Sequence, residues 1–231
     1  MAGAAIFDID GTLVDTVDLH AKAWQEALAE FGHDVPYLKV RQQIGKGGDQ
    51  LLPALLATNE LRRIGKELDK FRGDLFKTKY LPLAVAFPRV RELFERLRED
   101  GIRILLASSS KPDEVKVYKR IARIEDLVDA ETSKGDVEST KPAPDIFEAA
   151  LQKLGGTDPA DALAIGDTPD DAEAAGRAGL RTVGVLCGGF PEAELRGAGC
   201  IAIYRDPADL LARYEETPLA GLAAGRAAQP A

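Results

Sequence analysis

Four short stretches of the 231-residue chain collect acids, hydroxyls and lysine in an order that could do chemistry. "IFDIDGT" ends an apolar run in Asp8 and Asp10, and "ILLASSSK" ends another in Ser108, Ser109, Ser110 and Lys111. "STKPAPDIF" brings Lys141 to the start of a helical pattern, and "ALAIGDTPDD" closes on Asp167, Thr168, Asp170 and Asp171. Carboxylates as close as Asp8 and Asp10 repel and lose hydration if buried, so a cation is expected beside them or one holds a proton. Acids, hydroxyls and a lysine together suit a cation and a phosphoryl group.

Positioning such a cluster falls to the elements between. The runs "AAIFDI" (4–9), "IRILLA" (102–107), "ALAIG" (162–166), "RTVGVL" (181–186) and "CIAIY" (200–204) are continuously apolar, as in strands covered on both faces of a parallel sheet. Helical patterns lie between them. Val90, Leu93, Phe94 and Leu97 form one stripe before Gly101, and Phe147, Ala150, Leu151 and Leu154 form another between Pro144 and Gly155. Strand–helix alternation predicts a doubly wound α/β domain, whose ligand crevice lies at the carboxyl ends of its strands. The three acid and hydroxyl clusters should therefore meet there.

Residues 16 to about 82 read differently. Val17, Ala21, Trp24, Leu28 and Phe31 make a helical stripe, and further helical patterns follow. This predicts a helical insertion (16–82) in a discontinuous core (1–15 and 83–217), leaving an Ala/Gly-biased tail (218–231) as a flexible end. "IGKGGDQ" is too glycine-rich for a helix interior, and its Lys46 is expected either in a solvated turn or facing a substrate.

The bulk properties narrow the partners. Hydrophobic residues make up 45% of the chain, enough for a sizeable core, and the net charge is −8. An acidic chain argues against nucleic acid and anionic membranes, which call for a basic face. Neither a basic-then-apolar leader nor a run of about 20 apolar residues is seen, and Cys187 and Cys200 form no disulfide framework. A cytoplasmic protein acting on a small phosphorylated metabolite, as a monomer or small homo-oligomer, is expected.

In order and separation, "DIDGT" (8–12), Ser108, "KPAPDIF" with Lys141 and "GDTPDD" (166–171) resemble the four motifs of the haloacid dehalogenase superfamily. The likeness is to its capped phosphatase branch, which includes phosphoglycolate phosphatases and β-phosphoglucomutases, and covers all but the tail. The resemblance implies a Rossmann-like core with a helical cap and a Mg²⁺-dependent phosphomonoester hydrolase. It makes Asp8 the nucleophile and Asp10 the general acid and base, with Asp10 protonated at the start and Asp8 ionised. It implies Mg²⁺ on Asp8, the Asp10 carbonyl and Asp167, with Asp171 in support, and Lys141 neutralising charge. Ser108 and amides near Gly11 and Ser109 would hold phosphoryl oxygens. His20, near the insertion's hinge, is expected to face the crevice, and Trp24 to pack.

Bland readings stand beside these. "GDTPDD" alone would be a solvated turn, and Lys141 alone a loop lysine. Asp170 competes with Asp171 for the supporting role, and spacing favours Asp171. Ser109 competes with Ser108, which follows its strand directly. A β-phosphoglucomutase-type activity is the alternative function, but "IGKGGDQ" lacks the cap-loop arginine of those enzymes and "GDTPDD" lacks their Glu-Asp pair. The presence of Asp10 opposes a dehalogenase. A receiver-like phospho-acceptor would be about half as long and would carry adjacent acids at the first strand.

Overall fold

The computed structural model describes residues 3–224. Its main sheet has six strands: β1 (Ala4–Phe7), β4 (Arg103–Ala107), β5 (Ala130–Thr132), β6 (Ala162–Gly166), β7 (Arg181–Val185) and β8 (Cys200–Tyr204). They run in the order β5-β4-β1-β6-β7-β8, every neighbouring pair parallel. Five of the six are the apolar runs read from the sequence. β5 was not expected: "AET" is too short and polar to announce a strand, and pairing with Leu105–Ala107 holds it in place.

The chain leaves β1 for β4 on one side of it and later returns to β6 on the other, so β1 sits at the switch point of a doubly wound sheet. The helices α5 (Val90–Glu99), α6 (Pro112–Ala122), α7 (Asp145–Lys153) and α8 (Pro169–Arg177) connect these strands. Val90, Leu93, Phe94 and Leu97 are buried with Phe7 and Ile104 on one face, and Ile146, Phe147 and Ala150 with Ile6 and Leu105 on the other. Gly101, at φ 69°, turns the chain from α5 into β4 in a conformation that would strain a side chain.

Between β2 (Val14–Asp15) and β3 (Val85–Ala86), which pair antiparallel, lie α1 (Val17–Glu30), α2 (Tyr37–Arg41), α3 (Gly48–Leu55), α4 (Thr58–Leu75) and a π-helical segment, Phe76–Tyr80. Val17, Ala21, Trp24 and Leu28 pack with Leu51, Leu52, Ile64 and Leu68 in an apolar cluster distinct from those beside the main sheet. The two-strand ribbon joins this helical unit to the sheet.

α9 (Glu192–Gly197) links β7 to β8, and beyond β8 come α10 (Pro207–Ala212) and α11 (Pro218–Ala224). α11 corrects the expectation of a flexible tail from residue 218. The stretch has few bulky residues, yet Leu219 and Leu222, three apart, are both buried in the cluster that holds β1 and α5. Two leucines on one face suffice once a groove receives them. The rest of the expected tail, 225–231, lies outside the described residues. Among the described residues no helix is long and apolar enough to cross a membrane.

Leu219→Ala should lower stability by about 2–5 kcal/mol through the cavity it leaves. Urea unfolding followed by circular dichroism measures this; an unchanged midpoint would show that α11 contributes no packing.

Candidate active site

Registration of the sheet brings the sequence clusters together. Phe7 pairs with both Leu106 and Ile165, so the next residues of three adjacent strands emerge at one level. The Asp8 amide donates to the Ile165 carbonyl at 2.8 Å, carrying the strand geometry one residue further and fixing where its carboxylate starts.

Lys141 arrives from the segment before α7 and is fully buried. Its Nζ lies 2.5 Å from Asp8 Oδ1, 2.8 Å from Asp171 Oδ1 and 2.7 Å from the Ala107 carbonyl oxygen. An isolated ammonium would lose heavily on burial, but two carboxylates more than offset this and hold its pKa above the usual lysine range. Asp171 is placed by its helix start: its Oδ2 accepts from the Thr168 amide at 3.0 Å and the Thr168 hydroxyl at 2.7 Å. The competing Asp170 turns instead toward Lys46, 3.8 Å away.

Asp8, Asp167 and Asp171 form a buried group whose ligand atoms lie within 4.8 Å of one another. Asp167 Oδ1 accepts from the Thr12 hydroxyl at 2.9 Å, while its Oδ2 and Asp8 Oδ2 are buried with no hydrogen-bond partner. Gly11 and Gly188 crowd that free Asp167 oxygen. A Cβ at either would fall within 2.4 Å of it, so the cradle admits no side chain there. Two orphaned carboxylate oxygens in an all-oxygen set suit a hard divalent cation.

Asp8 and Asp10 sit in opposite electrostatic surroundings. Burial raises the Asp8 carboxyl to about 7, helped by Asp171 and Asp10 and opposed by Lys141. Burial also raises Asp167 well above the carboxylate range, with Asp8 and Asp171 adding to it. Burial would raise Asp10 as well, but His20 and hydrogen bonds from His20, Thr16 and Ser110 outweigh it and hold Asp10 well below its ordinary value. Asp8 thus sits among acids and Asp10 among donors, so without a cation burial and its acidic neighbours push the first carboxyl up while its hydrogen bonds hold the second down.

Asp10 is the better solvated of the pair by protein groups. Oδ1 accepts from the Thr16 hydroxyl at 2.7 Å and lies 3.0 Å from His20 Nε2; Oδ2 accepts from Ser110 at 2.7 Å and Ser108 at 3.4 Å. His20 lines the pocket as expected, but its Nε2 is also 3.0 Å from the Tyr118 hydroxyl and its ring stacks on Phe76 at 3.9 Å. That nitrogen serves Asp10, where the sequence reading had it meeting substrate. Ser108 is fully buried, its hydroxyl accepting from the Ser110 amide, whereas Ser109 lines the pocket with a hydroxyl that has no partner.

The pocket over these residues measures about 40 Å³ and is roofed by the helical unit. Lys46 lies on its wall, donating to Gln43 Oε1 at 2.9 Å. Trp24 packs in the helical cluster, as expected, with the Arg72 guanidinium 4.5 Å over its ring. Lys111, which closes the serine cluster in the sequence, lines the pocket, as do Arg72, Glu114 and Lys134, which the sequence motifs do not mark. Glu114 lies only a turn past that lysine, whereas Arg72 reads as an ordinary helix-surface arginine.

Residues 3–179 match the family model described as haloacid dehalogenase-like hydrolase. The chain is 30% identical to a phosphoglycolate phosphatase of Aquifex aeolicus, over 79% of this chain and 84% of that one. It is 32% identical to a β-phosphoglucomutase of Bacillus subtilis, over 79% and 82%. A solved hydrolase from Pseudomonas syringae superposes with a TM-score of 0.85 at 29% identity, covering 93% of this chain and 98% of that one.

The acid cluster gives a pH test. Carboxyls raised in the folded state bind more protons there than in the unfolded chain, so metal-free stability falls as pH rises from about 4 through about 7. A cation that relieves the crowding should then stabilise more at about pH 8 than at about pH 5.5, where it competes with protons. Melting curves with Mg²⁺ and with chelator should show a Tm increment that grows with pH; an increment independent of pH would mean the cation binds elsewhere.

Proposed function

Because the chain belongs to the haloacid dehalogenase-like hydrolases, we propose that it is a Mg²⁺-dependent phosphatase that cleaves a small phosphomonoester through an aspartyl-phosphate on Asp8. The observation that carries this is the meeting of Asp8, Asp10, Lys141 and Asp167 at the carboxyl end of the central strand, under a roofed pocket. Phosphatase names among its relatives support the reaction class.

In this reading an Asp8 oxygen attacks phosphorus, and the bond to the leaving oxygen breaks. Asp10 gives its proton to that oxygen, releasing the alcohol. Asp10 then takes a proton from water, whose oxygen attacks the same phosphorus and expels the Asp8 carboxylate with inorganic phosphate. The proton Asp10 needs arrives with the substrate: a phosphate dianion beside it disfavours a second negative charge and raises its pKa. Asp8, Asp167 and the Asp10 carbonyl would hold Mg²⁺, with Asp171 in support; once bound, it supplies the positive charge that lets an anionic nucleophile meet an anionic phosphate. Lys141 keeps the nucleophile aimed and shares the charge of the equatorial oxygens. Ser108 and backbone amides near Gly11 and Ser109 are the phosphoryl donors in this scheme, although the Gly11 amide itself donates to the Val14 carbonyl at 2.9 Å.

The helical unit acts as a cap. Its contacts with the core support this: the Gly47 amide donates to the Thr140 hydroxyl at 3.0 Å, and the Thr140 amide donates to Asp49 at 3.1 Å, one residue before Lys141. Arg41 donates to the Gly188 carbonyl at 3.0 Å, beside Asp167. A closed cap excludes water and strengthens each charge interaction beneath it. Lys46, on the cap side of the pocket, is placed to meet the leaving group if Gln43 releases it. A cytoplasmic setting fits the two free thiols.

A second reading, a β-phosphoglucomutase-type mutase, is favoured by the identity to the Bacillus subtilis enzyme. It keeps the same residues and differs in the acceptor of the second transfer.

Asp8→Asn should hold its fold and lose at least about a thousandfold in kcat, since the amide cannot form the acyl phosphate. Retention of substantial p-nitrophenyl phosphate hydrolysis in a clean preparation sinks the nucleophile assignment. The two readings separate on β-glucose 1-phosphate: the phosphatase should release inorganic phosphate without a bisphosphate activator, while accumulating glucose 6-phosphate would favour the mutase.

A further inference from the structure

We propose that the leaving-group side of the pocket reads hydroxyls, Arg72 donating and Glu114 accepting, so that the substrate is the phosphomonoester of a neutral polyhydroxy alcohol. The proposal rests on the phosphatase reading and adds the substrate class to it.

Arg72 projects from α4 and is only 7% exposed. Arginine is seldom buried so deeply without a close partner. Its one ion pair among the described residues is loose, Nη2 standing 3.6 Å from Asp69 Oδ1, and its Nε is buried with no acceptor. Trp24 under the guanidinium fixes the plane without supplying an acceptor. Glu114, on α6, is 2% exposed. One carboxylate oxygen, Oε2, accepts weakly from the Lys111 amide at 3.4 Å; Oε1 is buried with no donor. Arg72 and Glu114 line the same pocket yet do not pair with each other. A free donor and a free acceptor, both stripped of water, are costly unless something completes them. A hydroxyl both accepts and donates, and a carbon chain bearing several can answer both groups at once.

Charge decides against an acidic leaving group. Lys111 faces Asp69 at 3.8 Å, Lys134 faces Asp49 at 3.5 Å and Lys46 faces Asp170 at 3.8 Å. Lys111 and Arg72 share the one carboxylate of Asp69, so these four cations face three acids and Glu114 is the fourth; the lining then carries no surplus positive charge for a carboxylate, and the bare Glu114 oxygen would repel one. There is also room for a chain: a cavity of about 300 Å³ lined by Leu52, Leu61 and Gly65 shares Gly48 and Lys134 with the pocket. A site built to hydrogen-bond substrate hydroxyls rejects analogues lacking them more strongly than an apolar pocket rejects a missing methylene.

The test follows phosphate release by the full chain with Mg²⁺ from glycerol 3-phosphate, fructose 1-phosphate and glucose 6-phosphate, against 2-phosphoglycolate and 2-phospholactate. The best polyol ester should exceed both carboxylates by at least about tenfold in kcat/KM. Glu114→Gln keeps an acceptor for the Lys111 amide and removes the charge; it should shift the polyol-to-carboxylate ratio at least about tenfold toward the carboxylates. Arg72→Met, should the first variant fold poorly, should raise KM for the polyol ester more than it lowers kcat. A wild-type preference for the carboxylates, or an unmoved ratio in folded variants, overturns the proposal while leaving the phosphatase reading standing. Absence of turnover on every ester, p-nitrophenyl phosphate included, removes both.

Discussion

A single buried ammonium holds this site together. Lys141 stands between Asp8 and Asp171 at the carboxyl end of the central strand, with the Ala107 carbonyl as its third partner. Without it, Asp8, Asp167 and Asp171 would crowd one dry volume with no fixed positive charge. With it, the crowding is reduced but not cancelled: the Asp8 and Asp167 carboxyls both stay raised, first by burial and then by neighbouring acids, Asp171 among them, because one cation cannot balance three carboxylates in low dielectric. The deficit of positive charge is a built property of the fold, and it is what makes a divalent cation the natural complement.

The sheet was largely legible because strands covered on both faces must be continuously apolar, and β1, β4, β6, β7 and β8 were. Their polar endings marked the crevice for the same reason: the register that pairs Phe7 with Leu106 and Ile165 aligns the residues that follow. β5 escaped because three residues carry no periodicity and its strand state comes from β4. α11 escaped because its two leucines gain their meaning only from the groove they enter. Local pattern predicts an element when the pattern itself makes the stability, and fails when a neighbour makes it.

Charge was less legible than position. The sequence places Asp8 and Asp10 two residues apart and treats them as alternatives for one proton. Their surroundings come from other segments: Lys141 and Asp171 for one, His20, Ser110 and Tyr118 through His20 for the other. Lys141, Asp171, Ser110 and Tyr118 lie about a hundred residues or more away in sequence, while Thr16 and His20 follow Asp10 by six and ten residues, so only part of its wrapping in donors is local. His20 was rightly placed near the crevice, but whether its ring meets substrate or Asp10 depends on a rotamer fixed by Phe76 and Tyr118.

Contacts between the helical unit and the core lie on a seam beside the buried charges. Gly47 and Asp49 bond to Thr140, whose neighbour is Lys141, and Arg41 bonds to Gly188, whose backbone crowds the free oxygen of Asp167. The seam contacts therefore lie next to the buried charges, Thr140 beside Lys141 in sequence and Gly188 against Asp167 in space. If the helical unit lifts, these bonds must break together, which opens the pocket and loosens the placement of the lysine and the acid in one motion. Glycine is required at the seam because any Cβ at Gly47 would approach Thr140 within 2.6 Å and one at Gly188 would overlap Asp167. The same close approach that lets backbone reach across the seam thus couples the position of the helical unit to the geometry of the charges beneath it.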